Sequence, residues 1–134
     1  MTFPKRPKQS ALSRRPAAEG ATERHPVDPA DRARAGFLTY LVSVATGIEA
    51  PRIASRTRSS ARAAKARQVA MYLAHIGFRW PMKRVGAAFG RDRTTASHAV
   101  QCIEDLRDKP GFDVLLEGLE ACVRAAPNKL DAVK

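Results

Sequence analysis

The spacing of apolar residues is the feature that most limits how this 134-residue chain can fold. Between about residues 31 and 124, apolar residues recur every three or four positions, and no segment shows the strict alternation of a strand. The first such series is Phe37, Leu41, Val44 and Ile48, and the last is Phe112, Leu115, Leu116, Leu119 and Val123. Helices with one apolar stripe pack against one another. The sequence therefore predicts an all-α, compact multi-helix domain whose first helix runs from about Asp31 to Ala45.

Proline and glycine divide the middle of the chain into shorter pieces. Pro51 suits the first turn of a short helix through Ala54, and the following SRTRSSARAA has few apolar anchors, which predicts a basic loop. Helical spacing returns in KARQVAMYLAHIG, which Gly77 closes, and Pro81 stands where another helix would begin. We expect a domain over residues 31–124, between a disordered, basic, proline-rich tail at 1–30 and a short flexible tail at 125–134.

Two short predicted helices meet at a tight turn. MKRVGAAFG is stopped by Gly90, and Asp92 is a good N-cap for DRTTASHAVQCIEDLRD. This arrangement is typical of a helix-turn-helix. At about 100° per residue, the inner face of the second helix carries Ala96, Val100 and Ile103, and the outer face carries Thr94, Ser97, His98 and Gln101. Such a polar, nearly uncharged face suits base edges in a major groove, although a solvated helix face explains the same pattern.

Positive charge is concentrated beside this motif. The chain carries 24 Lys and Arg against 13 Asp and Glu, a net charge of +11. The stretch from Ala50 to Arg91 contains no acid and ten cations: Arg52, Arg56, Arg58, Arg62, Lys65, Arg67, Arg79, Lys83, Arg84 and Arg91. Segregated charge of this kind indicates a polyanionic partner, and its placement favours duplex DNA over a membrane surface or RNA.

Several separated segments resemble one family. KARQVAMYLA followed by VGAAFGRDRTTASHAVQCIEDL is similar to the C-terminal DNA-binding domain of the bacterial replication initiator DnaA, a helix-turn-helix of the Trp-repressor-like type. The family signature is a Gly-Gly-Arg-Asp-His-Thr-Thr-Val run followed by a histidine. Here the glycine pair is reduced to Gly90, the signature histidine is Arg93 and the valine is Ala96. The likeness spans about Phe37 to Val123.

The resemblance implies that the second helix reads the major groove while an arginine of the basic loop enters the adjoining minor groove. Arg58 is the nearest match to that arginine, with Arg56 or Arg62 as alternatives. The expected base contacts are Asp92, Arg93, Thr94, Thr95, Ser97 and His98. The cations expected at the minor groove or at phosphates are Arg52, Arg56, Arg58, Arg62, Lys65, Lys83 and Arg91.

The sequence also limits the class of function. It contains no phosphate loop of the kind that the initiator's ATPase module carries, so it looks like the DNA-binding module alone. We expect no catalytic residue, cofactor, small-molecule substrate or membrane contact. We also expect no metal, because His98 and Cys102, one helical turn apart, do not make a metal site by themselves. Two hypotheses remain. One is a sequence-specific binder of double-stranded DNA, a monomer that regulates transcription or replication in the bacterial cytoplasm and nucleoid. The other is a structural nucleoid or RNA-associated protein without base readout.

Overall fold

The computed structural model describes residues 27–56 and 60–126, and over these ranges it contains six α-helices and no strand. The helices are α1 (Pro29–Thr46), α2 (Ala50–Ala54), α3 (Ala61–Gly77), α4 (Met82–Ala88), α5 (Arg93–Leu106) and α6 (Pro110–Ala125). The all-α prediction is confirmed. The predicted tail at 1–30 lies almost entirely outside the described residues, as do most of the tail at 125–134 and Arg58.

The start of α3 differs from the sequence prediction. Ser60 caps this helix, its hydroxyl accepting a hydrogen bond from the amide of Ala63 at 3.1 Å. A serine in this position satisfies an amide that the first helical turn leaves without a partner. The segment from Ala61 to Ala64, predicted to belong to the basic loop, is therefore helical, and Arg62 lies on a helix instead of in a loop.

The buried face of α1 is also different from the predicted one. Leu38 and Val42 are fully buried, whereas Phe37 is 39% exposed and Val44 69% exposed. Apolar residues occur on most sides of this helix, so the sequence spacing is compatible with burial of either of two faces. Thr39 joins the buried face because its hydroxyl donates a hydrogen bond to the Ala35 carbonyl, 2.9 Å away. Ile48, the last residue of the predicted series, is buried beyond the end of the helix.

Helix α3 is the centre of the core. Its eight buried residues contact helices on several sides, with α1 and α5 packing most extensively against it. Four of the eight are alanines, which let neighbouring backbones approach closely: Ala63, Ala66, Ala70 and Ala74. The remaining four fill the space between helices: Val69, Met71, Tyr72 and Leu73. A helix buried on most of its circumference has a weak apolar periodicity.

Two polar clusters join helices that are distant in sequence. Arg84 of α4 donates two hydrogen bonds to the buried carboxylate of Asp31 on α1, at 2.8 and 2.9 Å, and its guanidinium lies 4.6 Å from the ring centre of Trp80. At the end of α5, Arg107 donates hydrogen bonds to Tyr72 and to two carboxylates of α6. Trp80 is buried. These clusters fix α4 and α5 on the rest of the domain.

Candidate nucleic-acid interface

The turn between α4 and α5 is built around two glycines. Gly90 adopts a left-handed backbone conformation with φ of 71°, which residues with a side chain rarely adopt. Gly86 is buried, and a Cβ added to it would lie 2.8 Å from the carbonyl oxygens of Arg91 and Asp92. The amide of Arg91 donates to the Gly86 carbonyl at 2.7 Å. The predicted helix-turn-helix is present, and close backbone contact at Gly86 sets how α5 leaves the turn.

The start of α5 is capped by Asp92, as predicted. Its carboxylate accepts a hydrogen bond from the Thr95 amide at 2.7 Å, and this bond lowers the pKa of Asp92 below its ordinary value. A charged carboxylate here also interacts favourably with the positive end of the helix dipole. The side chain is therefore held as an anion at the turn.

The two faces of α5 separate as the sequence predicted. Ala96, Val100 and Ile103 are buried against the core together with Ala99. All residues predicted to contact bases are exposed: Asp92, Arg93, Thr94, Thr95, Ser97 and His98. The helix thus presents a continuous polar surface whose back is firmly packed. Whether these side chains contact bases stays a prediction.

Two outward side chains on α5 already have partners one turn further along the helix. His98 Nε2 lies 3.3 Å from the sulfur of Cys102, and the Gln101 amide donates to Asp105 at 3.1 Å. Cys102 is half-buried. The described part of the chain contains no group of three or more His, Cys, Asp or Glu side chains placed to hold a metal ion.

Three arginines from different parts of the chain meet beside the turn, and we call them the arginine cluster: Arg56, Arg67 and Arg91. Arg56 donates to the Gly90 carbonyl, 2.5 Å away. Arg91 donates to the Ser55 carbonyl at 2.7 Å. Arg67, on α3, donates to the carbonyl of Ile53 at 2.8 Å and to that of Ser55 at 3.2 Å. The end of α2 and the start of the basic loop are thereby tied both to α3 and to the helix-turn-helix.

The cluster is strongly positive and partly removed from water. Burial lowers the pKa of Arg91, and the neighbouring charges of Arg67 and Arg56 lower it further. The Nε of Arg91 is buried without a hydrogen-bond partner among the described residues. Burial also lowers the pKa of Arg67. Since an arginine stays protonated over the whole physiological range, these shifts report unfavourable electrostatic free energy and not loss of charge.

The structure distributes the other predicted cations around the domain. Arg52 on α2 and Lys83 on α4 are exposed. Arg62 and Lys65 lie about 140° and 160° around α3 from Arg67, taking 3.6 residues per turn. Arg62 reaches the Thr46 carbonyl at 3.5 Å, and both residues border an apolar groove formed with α1 and α6. Of the predicted set, Arg56 and Arg91 make hydrogen bonds beside the turn.

Sequence reasoning did not select Arg67 as a site residue. It lies in the Ala-Arg-Gln segment at the start of the KARQVAMYLA helix, where it was counted only as one of ten cations. The signal that could have identified Arg67 as a site residue is that this segment belongs to the DnaA resemblance. The partners of Arg67 are backbone carbonyls 12 and 14 residues away, which no sequence pattern identifies.

Comparison with known proteins identifies the domain. Residues 38–103 match the family model described as bacterial dnaA protein helix-turn-helix. A solved structure, the crystal structure of a DNA replication initiation factor, is similar with a TM-score of 0.62 and 25% sequence identity over 81% of this chain. The match spans 32% of that longer chain. No individual curated protein sequence matches the chain significantly.

The described helices include none with the length and hydropathy needed to cross a membrane.

The family match extends from the second half of α1 into α5, and so contains the arginine cluster, the glycine turn and most of the polar face. The match begins one residue after the predicted start of the resemblance at about Phe37 and ends about 20 residues before its predicted end at Val123. This chain carries a helix-turn-helix DNA-binding domain of the bacterial DnaA family.

Proposed function

We propose that the protein binds double-stranded DNA at preferred sequences, with α5 in the major groove and the basic loop after α2 at the adjoining minor groove. The observation that carries the proposal is the polar, exposed face of α5 on a rigidly packed helix, flanked by the arginine cluster. Hydroxyl, imidazole and guanidinium groups on such a face discriminate bases, while the surrounding cations contact phosphates. The planar guanidinium of Arg93 can donate two hydrogen bonds to the major-groove edge of a guanine.

The second candidate is a structural nucleoid or RNA-associated protein that binds phosphates without base readout. Its support is the net charge of +11, with cations on several sides of the domain, including Arg62 and Lys65 away from the turn. Against it, most of the exposed side chains of α5 between Thr94 and Gln101 are uncharged. A surface devoted to phosphates would instead carry lysine and arginine there.

Selection of bound sequences from a random duplex pool tests the proposal. On the selected site, we expect Thr95→Ala and His98→Ala each to cost about 1–3 kcal/mol of binding free energy, with little effect on random DNA. Arg52→Ala is the matched control because it changes an exposed cation off α5, and it should weaken both duplexes alike. Equal losses on both duplexes for all three variants would favour phosphate binding without readout. A thermal melt of each variant verifies folding.

The biological role that we propose is regulation of transcription or of replication initiation in the bacterial nucleoid, at sites similar to those of the initiator. The protein acts as a monomer in this proposal, and residues 1–30 add bonds to phosphates. Deleting them should reduce the slope of log K against log salt by about 0.9 for each phosphate that the tail neutralises. Mapping occupied sites across the genome separates the two roles, because a cluster at a replication origin indicates replication and dispersed promoter sites indicate transcription.

A further inference from the structure

We propose that Arg67 and Arg91 are positioning residues that hold the start of the basic loop at a fixed place beside α5, and so set where the loop meets the minor groove. This inference rests on the proposed function, since it concerns the relation between two DNA-contacting elements. It assigns to Arg91 an action through the loop instead of a phosphate contact. It also gives a role to Arg67, which no sequence pattern selected.

The first support is the geometry of the anchoring contacts. Arg67 projects from α3, the most buried helix, and bridges the carbonyls of Ile53 and Ser55 through its Nε and an Nη. Arg91 projects from the turn and donates to the same Ser55 carbonyl. The chain immediately before the basic loop is thus held from two directions, by the core and by the helix-turn-helix.

The second support is what the arrangement costs. The acceptors in these contacts are backbone carbonyls, which carry no full negative charge, and the charges of Arg56 and Arg67 act unfavourably on Arg91. Like charges at short range repel, and the buried Nε of Arg91 lacks a partner among the described residues. We infer that this unfavourable arrangement is kept because it fixes the start of the basic loop beside a surface that would receive phosphates.

The positioning role of these arginines can be separated from their charge by substituting lysine. The bridge from Arg67 to two carbonyls needs the planar fork of a guanidinium, whereas lysine supplies one compact ammonium. Arg67→Lys and Arg91→Lys therefore keep the net charge and remove the geometry. Arg124→Lys, on an exposed side chain of α6 outside the predicted DNA-contacting residues, is the matched control for the chemical change itself.

The test uses the selected duplex and its A·T pairs beside the α5 site. Each pair is replaced in turn by G·C or by inosine·C, which share one major-groove pattern but differ by the guanine amino group in the minor groove. The wild-type chain should prefer inosine·C over G·C by about tenfold at one or more positions. In Arg67→Lys and Arg91→Lys this ratio should fall towards one, while Arg124→Lys keeps it.

The outcomes are distinguishable. If the two lysine variants fold, as judged by circular dichroism melts, and keep the wild-type ratio, the positioning role is wrong. If the wild-type chain binds a preferred sequence but shows no inosine effect, the loop does not read the minor groove and the inference fails while the proposed function stands. If no preferred sequence is selected, the proposed function itself fails. Retained base discrimination at the α5 positions in the variants, together with loss of the inosine effect, supports the proposal.

Discussion

Replacing Gly86 with alanine tests the packing that sets the geometry of the helix-turn-helix. The added Cβ would lie 2.8 Å from the carbonyl oxygens of Arg91 and Asp92, and 2.9 Å from the carbonyl carbon of Asp92. These are backbone atoms at the start of α5, so they cannot rotate away as a flexible side chain would. Relief requires α4 and α5 to separate, which also strains the 2.7 Å hydrogen bond from the Arg91 amide to the Gly86 carbonyl.

The expected magnitude is the balance of two opposing effects. Alanine within a helix is favoured over glycine by about 1 kcal/mol. Overpacking of a close contact costs about 1–3 kcal/mol, and contacts with rigid backbone belong to the upper part of that range. The free energy of unfolding of Gly86→Ala should therefore fall by about 1–2 kcal/mol. For a domain of this size, each kcal/mol corresponds to a change in Tm of about 4–8 °C.

Gly118→Ala provides the matched control. Gly118 lies in the interior of α6, is exposed, and has no atom within 4 Å of an added Cβ. Only the helix-propensity effect remains there, so this variant should be stabilised by about 1 kcal/mol. Urea titrations followed by circular dichroism measure both variants against the parent. The reasoning is refuted if Gly86→Ala is as stable as the parent or more so.

The two polar clusters give further predictions. Asp31→Asn should lower the unfolding free energy by about 1–2 kcal/mol at pH 7, measured by urea titration, because it removes charged hydrogen bonds from the half-exposed Arg84. Since Arg84 lowers the pKa of Asp31 in the folded state, this stabilisation is present above the ordinary carboxyl pKa of about 3.9 and is lost as pH falls through the folded pKa. A difference between parent and variant that persists unchanged at pH 2 would contradict it. Arg107→Ala should cost about 2–4 kcal/mol because it removes bonds to Tyr72 and two carboxylates at once, and a loss below about 1 kcal/mol in the same titration would contradict that.

The sequence predicted the helices better than their contacts. Five helix ends fall within about two residues of a proline, a glycine or a cap recognised in the sequence: Pro51, Gly77, Pro81, Gly90 and Asp92. These signals act within one turn of the backbone, and their range explains their reliability. The start of α3 was missed because Ser60 stands among several serines that could equally cap a helix or belong to a loop.

The inner face of α5 was predictable and that of α1 was not, although both are amphipathic helices. On α5, threonine, serine, histidine and glutamine leave a single stripe of apolar residues, so that one face can be buried. On α1 the run from Ala35 to Ile48 contains no charged residue, and two stripes compete. The stripe that is buried contains Leu38 and Val42, because packing against α3 decides which face is covered.

Sequence alone determined that this chain is helical, that its turn at Gly90 leads into a helix capped by Asp92, and that the outer face of that helix is polar. Each of these depends on residues within about four positions of one another. Tertiary structure alone decided that Arg56, Arg67 and Arg91 meet, since their partners lie 12 to 36 residues away. Long-range contacts of this kind depend on how whole helices pack, and the side chains involved follow no periodic pattern.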